Sequence, residues 1–157
     1  MKSLAFKIWG KLNLPTNFQL MVMRKLNDQF LLGVTGIFFN DGDEILLFKH
    51  TYRDGDKWSL PGGYTKAKEH PKEALEREIK EESGLIVSAD ERLKVRTDRQ
   101  GARLDMTYVG KFIGGSFTPS KEVAEADFFK FENLPLLPND QLYFIEKAIN
   151  LKKNNSL

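Results

Sequence analysis

Three glutamates, Glu78, Glu81 and Glu82, crowd the string EREIKEES. On a helix turning 100° per residue they fall within an arc of about 100°, with Leu75 and Ile79 on the neighbouring arc. Carboxylates one turn apart repel each other, and Glu81 and Glu82 come where a helix dipole already disfavours negative charge. Local rules broken without a visible local remedy are what a functional site looks like in sequence. Hard oxygen donors on one face suit Mg²⁺ or Mn²⁺. Taken alone, the string also fits a solvated acidic face paired with Lys72 and Lys80.

The helix that must carry these residues has clear limits. Pro71 stands near its first position and Gly84 where a left-handed cap belongs, which predicts a helix over residues 71–83. Ahead of it, LLGVTGIFF and EILLFKH flank Asn40-Asp41-Gly42-Asp43 as a β-hairpin, followed by the loop YRDGDKW and Leu60-Pro61-Gly62-Gly63. Behind it, LKVRTD and RLDMTYVGKFI flank Gln100-Gly101 as a second hairpin, ADFFKFENLP offers another strand, and residues 140–151 form an amphipathic helix. A mixed sheet with helices on its faces is the economical architecture. Residues 1–30 form a helical extension, with Leu4, Ala5, Ile8, Trp9 and Leu12 on one face and a second segment after Pro15, and residues 31–157 form the domain.

Spacing around the glutamates is more specific than the glutamates themselves. Gly63, Glu69, Arg77-Glu78-Ile79, Glu81-Glu82 and Gly84-Leu85 fill nine constrained positions in 23 residues. This pattern resembles the Nudix box at every defined position, and Trp58, Leu60-Pro61-Gly62 and the later ENLP resemble the family's surroundings of the box. Lys68 stands where many members have glycine, a departure that bears on loop shape. The resemblance implies a Nudix-type α/β/α sandwich with a catalytic helix. It also implies metal-dependent hydrolysis of a pyrophosphate bond in a nucleoside diphosphate linked to another moiety. By the same resemblance Glu78 and Glu82 are the principal metal ligands, Glu81 a further ligand or the base, and the Gly63 carbonyl an additional ligand. Arg77 orients the glutamates and Glu69 supports the loop. Glu122 is a late acid of the kind the family adds to its metal cluster.

Phosphates call for cations, and Arg53 and Lys57 before the Gly63 loop, with Arg96, Arg99 and Arg103 near the second hairpin, supply them. Trp58 and Tyr64 are the aromatics placed to stack on a base. The proline of many ADP-ribose hydrolases is replaced by Gln100, and the tyrosine of dinucleoside polyphosphate hydrolases is missing from residues 101–103. Two alternatives stand beside the hydrolase: a nucleotide-sensing module without turnover, and an RNA 5′-end pyrophosphohydrolase.

Composition narrows the field. The 157 residues include no cysteine, which excludes disulfides, thiolate metal sites and a cysteine nucleophile and fits a reducing cytoplasm. The longest stretch free of charge and strong polarity, residues 31–39, is far too short to span a bilayer, and Lys7 and Lys11 interrupt any signal-peptide core. Of the net charge of +2, residues 1–30 hold +4 and the remainder −2, so neither nucleic acid nor stable membrane association is expected. A small nucleotide is the expected partner, and a homodimer is allowed.

Overall fold

The computed structural model describes residues 14–52 and 58–155. The chain divides into two units, residues 1–30 and 31–157. In the first, α1 (Thr16–Leu26) starts after Pro15, whose fixed φ suits a helix entry, and carries Arg24 and Lys25 in its last turn. The helical face expected at Leu4 to Leu12 lies outside the described residues.

The second unit runs β1 (Leu31–Phe39), β2 (Ile45–His50), β3 (Trp58–Ser59), β4 (Gly62–Tyr64), α2 (Pro71–Ser83), β5 (Leu85–Asp98), β6 (Arg103–Gly115) and β7 (Val123–Phe129). A 3-10 turn (Phe131–Asn133) and α3 (Asn139–Asn155) complete it. All seven strands join one mixed sheet. β1 lies at its centre, parallel to β6 from Leu31↔Arg103 to Phe39↔Lys111 and antiparallel to β4 at Gly33↔Tyr64, Val34↔Gly63 and Thr35↔Gly62. β2 meets β1 at Phe39↔Ile45, then continues beside β3 and β7 while β1 continues beside β4. The two strands therefore part, and the notch between them is where a cavity forms.

The run of apolar residues in β1 reflects burial on both faces of the sheet. Val34 and Phe38 pack with Leu75 and Ile79 of α2, while Ile37 and Phe39 pack with Phe144, Ile145 and Ala148 of α3. Helix, sheet and helix form three layers, the α/β/α sandwich the sequence implies.

β5 is longer than LKVRTD suggests, since it starts directly after the Gly84 cap. Register shifts at Ile86/Val87, Ala89/Glu91 and Arg92/Lys94 interrupt its alternation, which removes the two-residue period by which a strand is recognised.

Candidate active site

Helix α2 is closed at both ends. His70 Nδ1 accepts the Lys72 N–H and Glu73 accepts the His70 N–H, a reciprocal cap at the start. At the other end Gly84 adopts φ 75°, a conformation costly for residues with a Cβ, and its N–H donates to the Lys80 carbonyl. Ala74, Leu75, Ile79 and Ser83 are buried, which fixes the rotation of the helix and turns Glu78 and Glu82 towards the notch.

The crowding of carboxylates does have a remedy, and Arg77 supplies most of it. Its Nε and Nη2 donate to the two oxygens of Glu69 at 2.6 and 2.9 Å, Nη1 donates to Glu78 at 2.7 Å and Glu81 at 3.0 Å, and Nη2 also reaches the Tyr64 carbonyl at 3.2 Å. All five N–H groups are thus used. The hydrogen bonds from Arg77, joined by the Lys66 N–H, hold the Glu69 carboxyl down at about 2. Lys66 Nζ adds a looser contact to Glu81 at 3.7 Å.

Glu82 is the carboxylate left over. Its Oε2 is buried and has no hydrogen-bond partner among the described residues. Burial, followed by the charges of Glu122, Glu78 and Glu81, pushes its pKa up to about 7. An orphaned oxygen among acids that raise one another's proton affinity is an unmet demand for positive charge. Among the described residues no three acids or histidines are gathered tightly enough to cage an ion; Glu78 Oε1 and Glu81 Oε2 are instead drawn to Arg77. The donor set is all oxygen, as a hard divalent cation requires.

Beside Glu82 lies a cavity of about 550 Å³. Its lining includes the acids Glu78, Glu82 and Glu122, and a second group, Tyr64, Arg96, Arg103, Asp105 and Asp140, joined by hydrogen bonds and ion pairs. Gly63 lies under Glu78, and a Cβ there would come within 2.5 Å of Glu78 Cγ, so this glycine makes room for the carboxylate. The fold therefore brings Gly63, Tyr64, Glu78, Glu82 and Glu122 to one cavity. Glu81, with 54% of its side chain exposed, lies on Arg77 and does not line it. Glu69 and Arg77 stand behind the glutamates as their anchor.

Trp58, expected at the substrate, does not line this cavity. Its ring packs edge-to-face on Phe129 at 5.0 Å in the α3-side core, because β3 pairs it onto β2. Arg53 and Lys57 lie outside the described residues. Lys68 has φ 70°, which explains physically why glycine suits this position. Asp105, Thr107 and Asp140 line the cavity without having been singled out in the sequence. The alternation of Arg103, Asp105 and Thr107 with Leu104, Met106 and Tyr108 was the available signal, but it equally describes a strand with one solvated face.

A NUDIX domain profile matches residues 29–148. The chain belongs to the Nudix family. It is 31% identical over 125 residues to an ADP-ribose pyrophosphatase of Methanocaldococcus jannaschii, a match covering 77% of this chain and 74% of that protein. It is 30% identical over 127 residues to the human 8-oxo-dGDP phosphatase NUDT18, covering 76% of this chain but 39% of that protein. The crystal structure of an ADP-ribose pyrophosphatase from Streptococcus suis superposes with a TM-score of 0.65 at 29% identity, covering 77% of this chain and 92% of that one. This Nudix chain is a hydrolase of pyrophosphate bonds in nucleotide derivatives. Divalent-metal dependence is general to the family. Among the described residues no helix is long and apolar enough to cross a membrane.

Proposed function

We propose that this Nudix hydrolase cleaves the pyrophosphate of a nucleoside diphosphate linked to a sugar, with ADP-ribose the first substrate to test. The observation that carries the reading is Glu82, an orphaned, partly buried carboxylate in a cavity that is also lined by Arg96 and Arg103. Support for the sugar comes from the two ADP-ribose pyrophosphatases it resembles.

Glu78 and Glu82 would hold Mg²⁺ or Mn²⁺, with the Gly63 carbonyl and Glu122 beside them. When bound, the ion supplies charge for the phosphate oxygens and acidifies water. Arg77 fixes the rotamers of Glu78 and Glu81, and Glu69 fixes Arg77. A carboxylate of the box accepts the proton of the attacking water; oxygen bonds to one phosphorus, the bridging P–O bond breaks, and the departing phosphate carries the electron pair away. Both products are monophosphates. The same reading places the enzyme in a reducing cytoplasm, in keeping with the absence of cysteine, and allows a homodimer.

The test is a panel of ADP-ribose, UDP-sugars, 8-oxo-dGDP, nucleoside triphosphates and 5′-triphosphorylated RNA with Mg²⁺ or Mn²⁺, every product resolved. Chelator-sensitive formation of AMP and ribose 5-phosphate is expected. Cleavage confined to triphosphates or RNA ends would replace the proposed substrate, and nucleotide binding without cleavage would favour a sensor.

A further inference from the structure

The strand register assembles a polar row that passes through the floor of the cavity. Tyr64 of β4 lies opposite Gly33 of β1, Gly33 opposite Asp105 of β6, and Asp105 opposite Arg96 of β5. Arg103 stands two residues before Asp105, on the same face of β6. Gly33 adds no side chain to the row, and a Cβ there would come within 2.4 Å of Asp105 Oδ1 and 3.6 Å of Arg103 Cδ. The space above Gly33 is thus taken by the Asp105 carboxylate, with Arg103 beside it.

The arginines of this domain differ in how much of their hydrogen-bonding capacity is committed. Arg77 uses all five donors. Arg96 donates to Asp140 at 2.8 Å and to Asp105 at 3.4 Å. Arg103 makes one long hydrogen bond, from Nη1 to Tyr64 Oη at 3.4 Å. Its buried Nε lies 2.8 Å from Asp105 Oδ1, an ion pair that supplies its counter-charge. Asp98 is 3.9 Å from Nη2 and already accepts the N–H groups of Gln100 and Gly101, so it caps the hairpin turn and does not satisfy Arg103.

With Nε paired to Asp105, the Nη groups, which make one long hydrogen bond among the described residues, keep capacity for an acceptor from outside the chain. The lining carries Glu78, Glu82, Asp105, Glu122 and Asp140 against Arg96 and Arg103, and an anionic substrate needs a cation here. Arg96 is drawn to two carboxylates, whereas the Nη groups of Arg103 make one long hydrogen bond among the described residues, and its planar fork matches two phosphate oxygens. We infer that Arg103, held against Asp105 in the lining of the cavity, binds a phosphate group of the nucleotide and is a substrate-affinity residue of this enzyme. Resting on the hydrolase reading above, the inference adds a phosphate contact from β6, outside the box. Asp105 acts as its positioning residue, holding the guanidinium through the ion pair to Nε.

The test compares wild type with Arg103→Gln and Arg103→Lys in the full chain. Equilibrium titration with AMP and Mg²⁺ reads affinity without turnover, and steady-state kinetics on ADP-ribose read KM and kcat separately. Loss of one charge-assisted contact predicts AMP binding weakened about 10- to 100-fold in the Gln variant, less in the Lys variant, with KM rising more than kcat falls. Unchanged AMP affinity in both variants, or no AMP binding by the wild type, overturns the inference. If the wild type binds AMP but cleaves no pyrophosphate, the hydrolase reading fails while the titration still judges Arg103. Unfolding midpoints guard against a folding defect, and the Lys variant decides the matter if the Gln variant does not fold.

Discussion

Replacing Glu82 with glutamine should stabilise the metal-free protein, although it removes a residue assigned to the chemistry. The folded chain holds this carboxyl at about 7 against an ordinary 4.5. Below pH 4.5 the group is protonated in both folded and unfolded chains and costs nothing. As pH rises from 4.5 to 7 the unfolded chain releases the proton first, so wild-type stability falls; above 7 the loss is complete. A shift of this size corresponds to about 3 kcal/mol in a site shielded from water, and the partial burial of Glu82 trims it to about 1–2 kcal/mol. For a chain of this length that is a gain of about 2–8 °C in Tm for Glu82→Gln at pH 8 in chelator, vanishing below pH 4.5. Thermal unfolding at pH 4 and pH 8 reads it directly. Millimolar Mg²⁺ should then raise the wild-type Tm and leave the variant's nearly unchanged. A variant no more stable than wild type at pH 8, or a gain independent of pH, would refute the idea that Glu82 carries the unmet charge.

Two adjacent glycines should separate activity from folding. Gly63→Ala places Cβ 2.5 Å from Glu78 Cγ, so that carboxylate must shift, and should lower kcat about 100-fold or more, read beside an unfolding midpoint. Gly62→Ala places Cβ 2.3 Å from the Val34 carbonyl and should show its effect as a loss of stability in urea titration. Arg77→Lys exchanges a fork with five donors for a point charge, so a loss of about 1–3 kcal/mol is expected together with a lower kcat, both measurable on one preparation. Lys68→Gly relieves a left-handed φ and should raise stability by up to about 1 kcal/mol, since the freedom glycine adds to the unfolded chain offsets part of the gain.

The catalytic helix was legible because its signals are local. Pro71, Gly84 and the spacing of Leu75 and Ile79 lie within one short segment, and they place α2 at Pro71–Ser83. The hairpin around residues 40–43 was legible for the same reason. The sharing of Arg77 among Glu69, Glu78, Glu81 and the Tyr64 carbonyl was not, because it depends on the loop before the helix folding back onto it. Trp58 can stack on a base, yet an aromatic beside a core strand more often packs, and the pairing of β3 with β2 sets its ring against Phe129. The row Tyr64, Gly33, Asp105 and Arg96 lay furthest from reach, since three strand registers must be known before those residues become neighbours.

The parallel pairing of β1 with β6 also sets a clock on synthesis. LLGVTGIFF leaves the ribosome long before Arg103–Gly115 exists, and at about 5–20 residues per second the wait is on the order of ten seconds. In that interval the hairpin with β2 offers it the register at Phe39↔Ile45. The segment carries no charge and no proline, and it is rich in residues that favour cross-β stacking. The strand that later forms the floor of the cavity is therefore the part of the nascent chain most in need of a chaperone, and refolding yield should fall steeply with protein concentration.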